Sequence, residues 1–343
     1  MSQAFLRRGL SVAAIAAAAV LASCSTPEPE APPPPPPPPL PAVSLNEGVA
    51  QAASVYVAFV REVSTIQGGF TDAESIQAAI RKGAAYEPGQ LSRGMIAYGS
   101  ILALQSPEYV AGVRQFASTP ALRQQMIASI VADPAYAATL PGADSAAGLI
   151  TATMGKDIAT LTAIAEAVEG DAYTIQERRD PRRRWAVTPI PHREARLEGA
   201  KTLSVSQLPS AEESARLFAA ANSGAGLNLT PAQRGAPFTP AVVNSLAIAA
   251  LAALGAAGDD ARTNTEALST ESNNEFCLSM SKLMLFQCLA ASRPSYEDMF
   301  CTGRHIVRDL ATCTAQYTGP VPVSTAPAVT VAETPPPPGS GTS

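Results

Sequence analysis

The chain has 343 residues, a net charge of −5 and a hydrophobic content of 46%, while aromatic residues make up only 5%. Alanine supplies much of the apolar fraction, and an alanine-rich, aromatic-poor composition favours close helix packing over a strand sandwich. The mildly acidic balance argues against general nucleic-acid binding.

The amino terminus reads as an export signal. Arg7 and Arg8 form a positive segment, and an apolar stretch follows from Gly9 to Ala22. At roughly 14 residues this stretch is too short to span a bilayer comfortably and has the length of a signal-peptide core. Residues 1–23 are therefore predicted to be a removable signal peptide.

The signal ends in Leu21-Ala22-Ser23-Cys24, which resembles the lipobox of bacterial lipoproteins, a Leu-small-small-Cys pattern. The resemblance implies that the chain is cut before Cys24 and that its thiol and the new amino terminus are acylated, with palmitate as an expected fatty acid. Two or more acyl chains anchor a protein stably. Ser25 stands where an Asp retains many such lipoproteins in the inner membrane, which implies an outer-membrane anchor facing the periplasm. The alternative is an ordinary secretory signal with an incidental cysteine.

A proline-rich tether is predicted over residues 24–44. Eight consecutive prolines, Pro32–Pro39, have a fixed φ and no N–H donor, so they predict polyproline II. Residues 25–44 would span roughly 60 Å when fully extended, which holds a folded body away from the membrane. A docking site for a proline-binding module is the alternative. The tail, residues 320–343, is expected to be disordered.

The body is predicted to be all-α. A capping residue stands before a proline at five places: Ser106-Pro107, Thr119-Pro120, Asp133-Pro134, Thr230-Pro231 and Thr239-Pro240. The capping oxygen satisfies an orphan N–H at a helix start, where proline loses nothing. Together with apolar residues at spacings of three and four, these signals predict helices at 46–66, 73–82, 89–105, 108–118, 121–132 and 143–178. Residues 202–208 are the one possible strand.

A loop rich in Gly, Asn and Pro, residues 222–238, separates a predicted helical region at 45–221 from a second one at 239–319. In the second region, residues 241–257 are nearly all apolar. The segment is short for a membrane span and is interrupted by polar residues, so a buried core helix is favoured over a transmembrane helix.

Besides Cys24, the chain has four cysteines: Cys277, Cys288, Cys301 and Cys313. An even number in an exported chain predicts disulfides. Residues 275–291 look helical, and Ser295 followed by Asp298 resembles a capping box that begins a second helix to about Tyr317. Within either helix the cysteines lie about 16–18 Å apart, which is too far for a bond.

An antiparallel hairpin of these helices requires nested bonds, Cys288–Cys301 near the turn and Cys277–Cys313 farther out. The arrangement resembles the twin-Cys hairpin of coiled-coil-helix proteins, although the spacing here is longer. Twelve residues rotate about 120° around an α-helix, so Cys301 and Cys313 do not share an ideal face. A zinc site is the disfavoured alternative, because there is no CxxC motif and only one histidine lies near.

No catalytic motif is recognisable: nucleophile elbow, HExxH, P-loop and dinucleotide fingerprint do not occur. No catalytic residue, metal site or cofactor is therefore predicted. The two histidines, His192 and His305, lie outside any nucleophile motif. Glu271-Ser272 and Glu74-Ser75 match a dipeptide of some cell-wall lytic enzymes, but a match this short is expected by chance.

A basic run is the one unusual charge feature. It contains Arg178, Arg179, Arg182, Arg183, Arg184 and the only tryptophan, Trp185, and it is followed by His192, Arg193 and Arg196. Guanidinium groups donate in pairs to phosphate, so the run could bind lipid A phosphate, phospholipid head groups or wall polymer. A solvated helix end with cations near its carboxyl terminus is favoured over this weak anion site.

The sequence as a whole predicts a non-enzymatic lipoprotein of the bacterial cell envelope with a structural or binding role. The expected partners are the membrane, through the lipid, and peptidoglycan or an envelope protein, without nucleic acid. Two alternatives stay open. One is a peptidoglycan-active enzyme that uses an unidentified acidic residue, and the other is a binder of anionic lipid or lipopolysaccharide through residues 178–184.

Overall fold

The computed structural model describes residues 40–177 and 181–319, with the side chains of residues 181 and 182 outside that description. Thirteen α-helices in these ranges confirm the predicted all-α class. The predictions for the signal peptide, Cys24, the run Pro32–Pro39 and the tail at 320–343 lie outside the described residues.

The predicted helices are present with small shifts at their ends, together with three helices that the sequence signals do not predict. Their bounds are α1 Glu47–Val63, α2 Ala73–Ala84, α3 Pro88–Ala103, α4 Pro107–Gln115, α5 Pro120–Ala132, α6 Ala143–Glu177, α7 Arg193–Thr202, α8 Ala211–Ser223, α9 Pro240–Ala253, α10 Thr263–Glu266, α11 Ser272–Ala291, α12 Ser295–Thr302 and α13 Asp309–Thr318. The three helices without a sequence signal are α7, α8 and α10. The predicted strand at 202–208 is wrong. Thr202 completes α7, and the described ranges contain two isolated β-bridges and no strand.

The Ser/Thr-Pro signals identify three helix starts correctly. Ser106, Thr119 and Thr239 each accept a hydrogen bond from the backbone N–H three residues ahead, at 3.2 Å in every case. Asp133 caps a 3-10 turn, and its Oδ1 accepts from the backbone N–H of Ala135 at 3.0 Å. Thr230-Pro231 is the exception, because it lies in irregular chain between α8 and α9.

The core is built around α3 and α9. Nearly every side chain of α9 is buried, so the apolar segment at 241–257 is a core helix, as predicted. In the described part of the chain, no helix is long and apolar enough to span a bilayer. The Ser245 hydroxyl donates to the Ile96 carbonyl at 2.9 Å and lies 2.7 Å from Tyr317 Oη, which satisfies the polar atoms of this contact.

Glycine in α3 permits the close approach of its neighbours. A Cβ on Gly94 would lie 2.7 Å from the Ala52 carbonyl oxygen of α1, and one on Gly99 would lie 2.1 Å from Tyr317 Oη. Any other residue would therefore push α1 or α13 away from α3.

The predicted hairpin is present with both nested disulfides. Cys288–Cys301 and Cys277–Cys313 join α11 to α12 and α13, each with a Cα–Cα distance of 5.7 Å. A π-helical segment, Gly303–Arg308, lies between α12 and α13. A π turn accommodates one extra residue, about 100° of α-helical rotation, which nearly cancels the predicted 120° offset. The π segment therefore brings Cys301 and Cys313 to the same face.

The predicted capping box at Ser295 and Asp298 is wrong. Pro294 is the N-cap of α12, and Ser295 lies inside the helix. Asp298 is buried and its Oδ2 lies 3.1 Å from Arg196 Nε, while its Oδ1 accepts from the Ser292 hydroxyl. A buried carboxylate is held better by a guanidinium than by one backbone N–H.

Candidate functional site

A polar cavity of about 310 Å³ lies where α1, α3, α6 and α8 meet. We call it the Asp157 cavity, and its lining comprises Tyr56, Val57, Val60, Arg61, Ser64, Tyr98, Asp157 and Arg216. Its volume is at the lower end of the range for small-molecule sites. Two guanidinium groups, two phenols, a hydroxyl and a carboxyl converge there.

Asp157 is the carboxyl group that lines this cavity. It sits midway along α6, and within the described residues no hydrogen bond or ion pair reaches its carboxyl. Burial raises the pKa of Asp157 to about 6. A carboxyl with this pKa exchanges its proton near neutral pH, which makes Asp157 a functional-site candidate on physical grounds.

Glu213 pairs with the two arginines of the cavity, and its pKa is shifted in the opposite direction to that of Asp157. Arg216 binds it with two nitrogens, the Nε donating to Oε2 at 3.3 Å, and Arg61 Nη2 lies 3.5 Å from the same oxygen. Burial alone would raise the pKa of Glu213, but the hydrogen bonds and charges of Arg216 and Arg61 outweigh it and hold the pKa below its ordinary value. Glu213 is therefore ionised at neutral pH.

Two tyrosines form the floor of the cavity. The rings of Tyr56 and Tyr98 lie 5.8 Å apart, centroid to centroid, at 38°. Burial, together with the charge of Asp157, raises the pKa of Tyr98 to about 12, so its phenol stays protonated. Tyr56 Oη is fully buried and has no hydrogen-bond partner among the described residues. An unsatisfied buried hydroxyl is costly to the fold.

The cavity can hold a ligand that both donates and accepts hydrogen bonds. The guanidinium and phenol groups donate, and the Asp157 carboxyl accepts or donates according to its protonation state. The pKa of Asp157 is raised and that of Glu213 is lowered. Acid–base catalysis by two carboxyl groups requires such a difference, since one must be protonated while the other is ionised.

The described residues of the predicted basic run have different surroundings and do not form one exposed patch. Arg178, Arg179 and the side chain of Arg182 lie outside the described residues. Arg183 Nη1 lies 3.1 Å from Asp171 Oδ1 of α6. Arg184 is exposed, and Trp185 packs half-buried against the core. The described part of the run thus offers Arg184 as an exposed cation.

The basic residues after the run have structural contacts. Arg193 donates through Nε to the Ser292 carbonyl at 2.7 Å and through Nη2 to the Ala290 carbonyl, so it caps the end of α11. Arg196 forms the buried pair with Asp298. A cation at the carboxyl terminus of a helix is favourable. The helix that Arg193 caps is α11, whereas the expected one is the helix that precedes the basic run.

The Glu-Ser dipeptides and His305 also have local roles. Glu271 is the N-cap of α11 and accepts from the backbone N–H of Asn274 at 2.8 Å, while Glu74 pairs with Arg81 at 2.6 Å. His305 Nδ1 lies 3.0 Å from Asp309 Oδ2 within the π segment and α13. In the described ranges, no three His, Cys, Asp or Glu side chains converge in a way that could hold a metal ion.

Lys282 is a buried cation that the sequence gives no reason to single out. Its Nζ donates to the carbonyls of Ala84 and Tyr86, at 2.7 and 2.8 Å, and to the Ser204 hydroxyl at 3.0 Å. Burial lowers the pKa of Lys282 to about 7, against the opposing charge of Glu87. All three donors are in use, so Lys282 ties α11 to the end of α2.

A larger cavity of about 590 Å³ lies near the ends of α9, α11 and α13, lined by Glu271, Asn274 and Tyr317 among others. Its carboxylate is already engaged as the cap of α11, and the Tyr317 phenol is bonded to Ser245. The Asp157 cavity is therefore the better candidate for chemistry or polar recognition. Comparison of the chain with protein-family models, curated proteins and solved structures gives no match.

Proposed function

We propose that this chain is a lipoprotein anchored in the bacterial outer membrane through Cys24, with a periplasmic helical body that binds peptidoglycan in the Asp157 cavity. The lipobox-like ending of the signal supports the anchor. Two disulfides in the body support export, because such bonds persist in oxidising compartments.

The length of the tether supports a partner in the cell-wall layer, away from the membrane surface. The proline-rich segment from Ser25 to Leu40 can extend roughly 50 Å, which carries the body away from the membrane surface, while Pro41 and Ser44 are hydrogen-bonded to the body. The first described core residue, Leu45, is held by the Asn222 side chain and by a bridge to Ala257. The tether thus joins the folded body without a further linker, so its length sets the distance of the body from the membrane.

The convergence of polar side chains at the cavity is the observation that carries the binding role. Peptidoglycan presents hydroxyl, amide and carboxylate groups, which match the Arg61 and Arg216 donors, the partly exposed Tyr98 and the Asp157 carboxyl. The positive charges are partly balanced by Glu213. A ligand with mixed polar groups and at most one carboxylate at this point therefore fits better than a polyanion.

Co-sedimentation of the purified chain with isolated sacculi tests the binding role. We expect Arg216→Gln and Asp157→Ala each to weaken binding at least tenfold. Arg262→Gln is a matched control, because Arg262 and Arg216 both pair with an acid three residues earlier, but Arg262 pairs with Asp259 outside the cavity. Equal binding by wild type, Arg216→Gln and Asp157→Ala would refute the cavity as the site.

Cys24→Ser tests the anchor independently. The substituted chain should lose acylation and leave the membrane fraction, whereas Ser25→Thr should stay in it. Retention of Cys24→Ser in the membrane fraction would contradict lipid anchoring.

A second candidate function is peptidoglycan hydrolysis with Asp157 as the proton donor. The opposite pKa directions of Asp157 and Glu213 favour it, since an acid that donates a proton near neutral pH needs a raised pKa. Release of soluble fragments from sacculi by wild type and its loss in Asp157→Asn would establish the enzyme. Binding to sacculi without release of fragments would refute hydrolysis and leave binding as the remaining function.

A further inference from the structure

Helix α11 carries an exposed apolar stripe on its outer face. Phe276 is 65% exposed, Met280 37%, Leu283 46% and Met284 39%. Their spacing of four, seven and eight residues places all four on one side of the helix. Single exposed apolar residues need no explanation, but a contiguous stripe on one helix marks an interaction surface. We call these four residues the α11 stripe.

The stripe is held in its exposed position. Both disulfides attach α11 to the body, through Cys277 and Cys288. The opposite side of the helix is anchored by buried Lys282 and by Asn274, whose side-chain amide donates to the Ser92 hydroxyl at 3.0 Å. Rotation of α11 to bury the stripe against the body would break these bonds, and no described residue of the chain covers it.

The charge pattern of α11 favours a second copy of the chain over an anionic membrane. The charged residues of α11 are Glu275 and Lys282, and Lys282 is buried. Helices that lie on anionic lipid carry Lys and Arg beside their apolar face, and α11 presents none. An uncharged stripe can face its own copy without like-charge repulsion, which an interface between identical surfaces requires.

We propose that α11 packs antiparallel against α11 of a second copy, across a twofold axis at Met280. The axis lies at Met280 because this residue is midway between the ends of the stripe, Phe276 and Met284. Phe276 of each copy then contacts Met284 of the other. The two Glu275 carboxylates lie about 15 Å apart at opposite ends of the contact, at 1.5 Å per residue, beyond the range of strong repulsion.

The stripe forms the centre of this interface rather than its whole area. A stable dimer removes about 800 Å² from each partner, and a stripe of four side chains supplies a few hundred Å². The neutral polar residues beside it, Ser279 and Gln287, are also exposed and form the rim. A reversible, concentration-dependent dimer is the expected state.

Sedimentation velocity of the chain from Ser25 onward, without detergent, tests the proposal, because this chain contains every described helix and both disulfides. Wild type should shift from monomer to dimer mass as concentration rises, and Leu283→Glu should raise the dimer dissociation constant at least tenfold. Leu122→Glu is the matched control. Leu122 is also a helical leucine, is also 46% exposed, and lies on α5, which packs on α9. It should leave the dimer unchanged.

A charge-pair test reports the register. Phe276→Glu and Met284→Lys should each weaken the dimer, and the double variant should restore it, since the new charges of the two copies meet across the axis. Wild type that stays monomeric at all concentrations would overturn the proposal, including the case in which it binds neutral vesicles instead. A dimer that Leu283→Glu and Leu122→Glu affect equally, or a double variant no stronger than the single ones, would overturn it as well.

Discussion

Replacing Asp157 with asparagine should stabilise the protein at neutral pH, although it removes a group from the proposed site. The carboxyl is half-buried without a partner among the described residues, and its pKa is raised to about 6. In the unfolded chain the pKa returns to its ordinary value of 3.8. Between these values the unfolded state loses its proton first, so wild-type stability falls as pH rises from about 4 through 6. Asparagine is nearly isosteric and does not titrate.

The magnitude follows from this difference. A gap of about two pH units corresponds to about 3 kcal/mol for a fully desolvated group. Water that enters the open cavity screens the charge, so we expect Asp157→Asn to raise the free energy of unfolding by about 1–2 kcal/mol at pH 8. At pH 4 and below, where both forms are neutral, the two proteins should differ by less than about 0.5 kcal/mol.

Urea denaturation followed by circular dichroism from pH 4 to pH 8, at constant ionic strength, measures this effect. Glu166→Gln is the matched control, because Glu166 lies on the same helix and is exposed. It should change stability equally little at both pH values. A variant Asp157→Asn that is no more stable than wild type at pH 8 would refute the account of Asp157 as an unpartnered carboxylate.

Four further substitutions test the remaining contacts. Arg196→Met should lower the free energy of unfolding by about 3–5 kcal/mol in urea denaturation, because it leaves the Asp298 carboxylate buried without its charged partner, and adding Asp298→Leu should restore most of it. Glu213→Gln should destabilise by about 1–2 kcal/mol at pH 7 and progressively less as pH falls through the depressed pKa; an unchanged difference at low pH would contradict this. Wild-type stability should rise by about 2 kcal/mol between pH 7 and pH 9 as Lys282 loses its proton in the folded state, and Lys282→Met should abolish this slope. Replacing Cys277 and Cys313 together with serine should cost about 3–4 kcal/mol, measured against an otherwise oxidised wild type; a loss below about 1 kcal/mol would show that the outer bond does not staple the hairpin.

Local signals in the sequence predict most of the helices and the disulfide pairing, but they do not predict α7, α8 and α10. Capping residues before proline act within one turn, and the nested cysteine pairs follow from the reach of a helical hairpin. The π segment at Gly303–Arg308 could not be predicted, because it depends on packing against α6. Gly303 lies against the backbone of Glu169 there, and Arg308 Nε donates to Glu169 Oε1 at 2.7 Å.

Tertiary contacts also explain the failures. The sequence spacing of Ser295 and Asp298 matches a capping box, but Arg196, about a hundred positions earlier, takes the carboxylate instead. The Asp157 cavity also depends on tertiary contacts. Its polar residues come from four helices that are distant in sequence, and no short motif records their convergence. Asp157 itself is one polar residue within an otherwise regular helix.

Intact mass spectrometry of the native chain, extracted from membranes and measured with and without reduction, tests the central claim most directly. The account predicts a chain that lacks residues 1–23, carries fatty-acyl groups on Cys24 and gains the mass of four hydrogens on reduction of its two disulfides. An unacylated chain that begins elsewhere, or four free thiols in the native protein, would contradict an anchored body folded in an oxidising compartment.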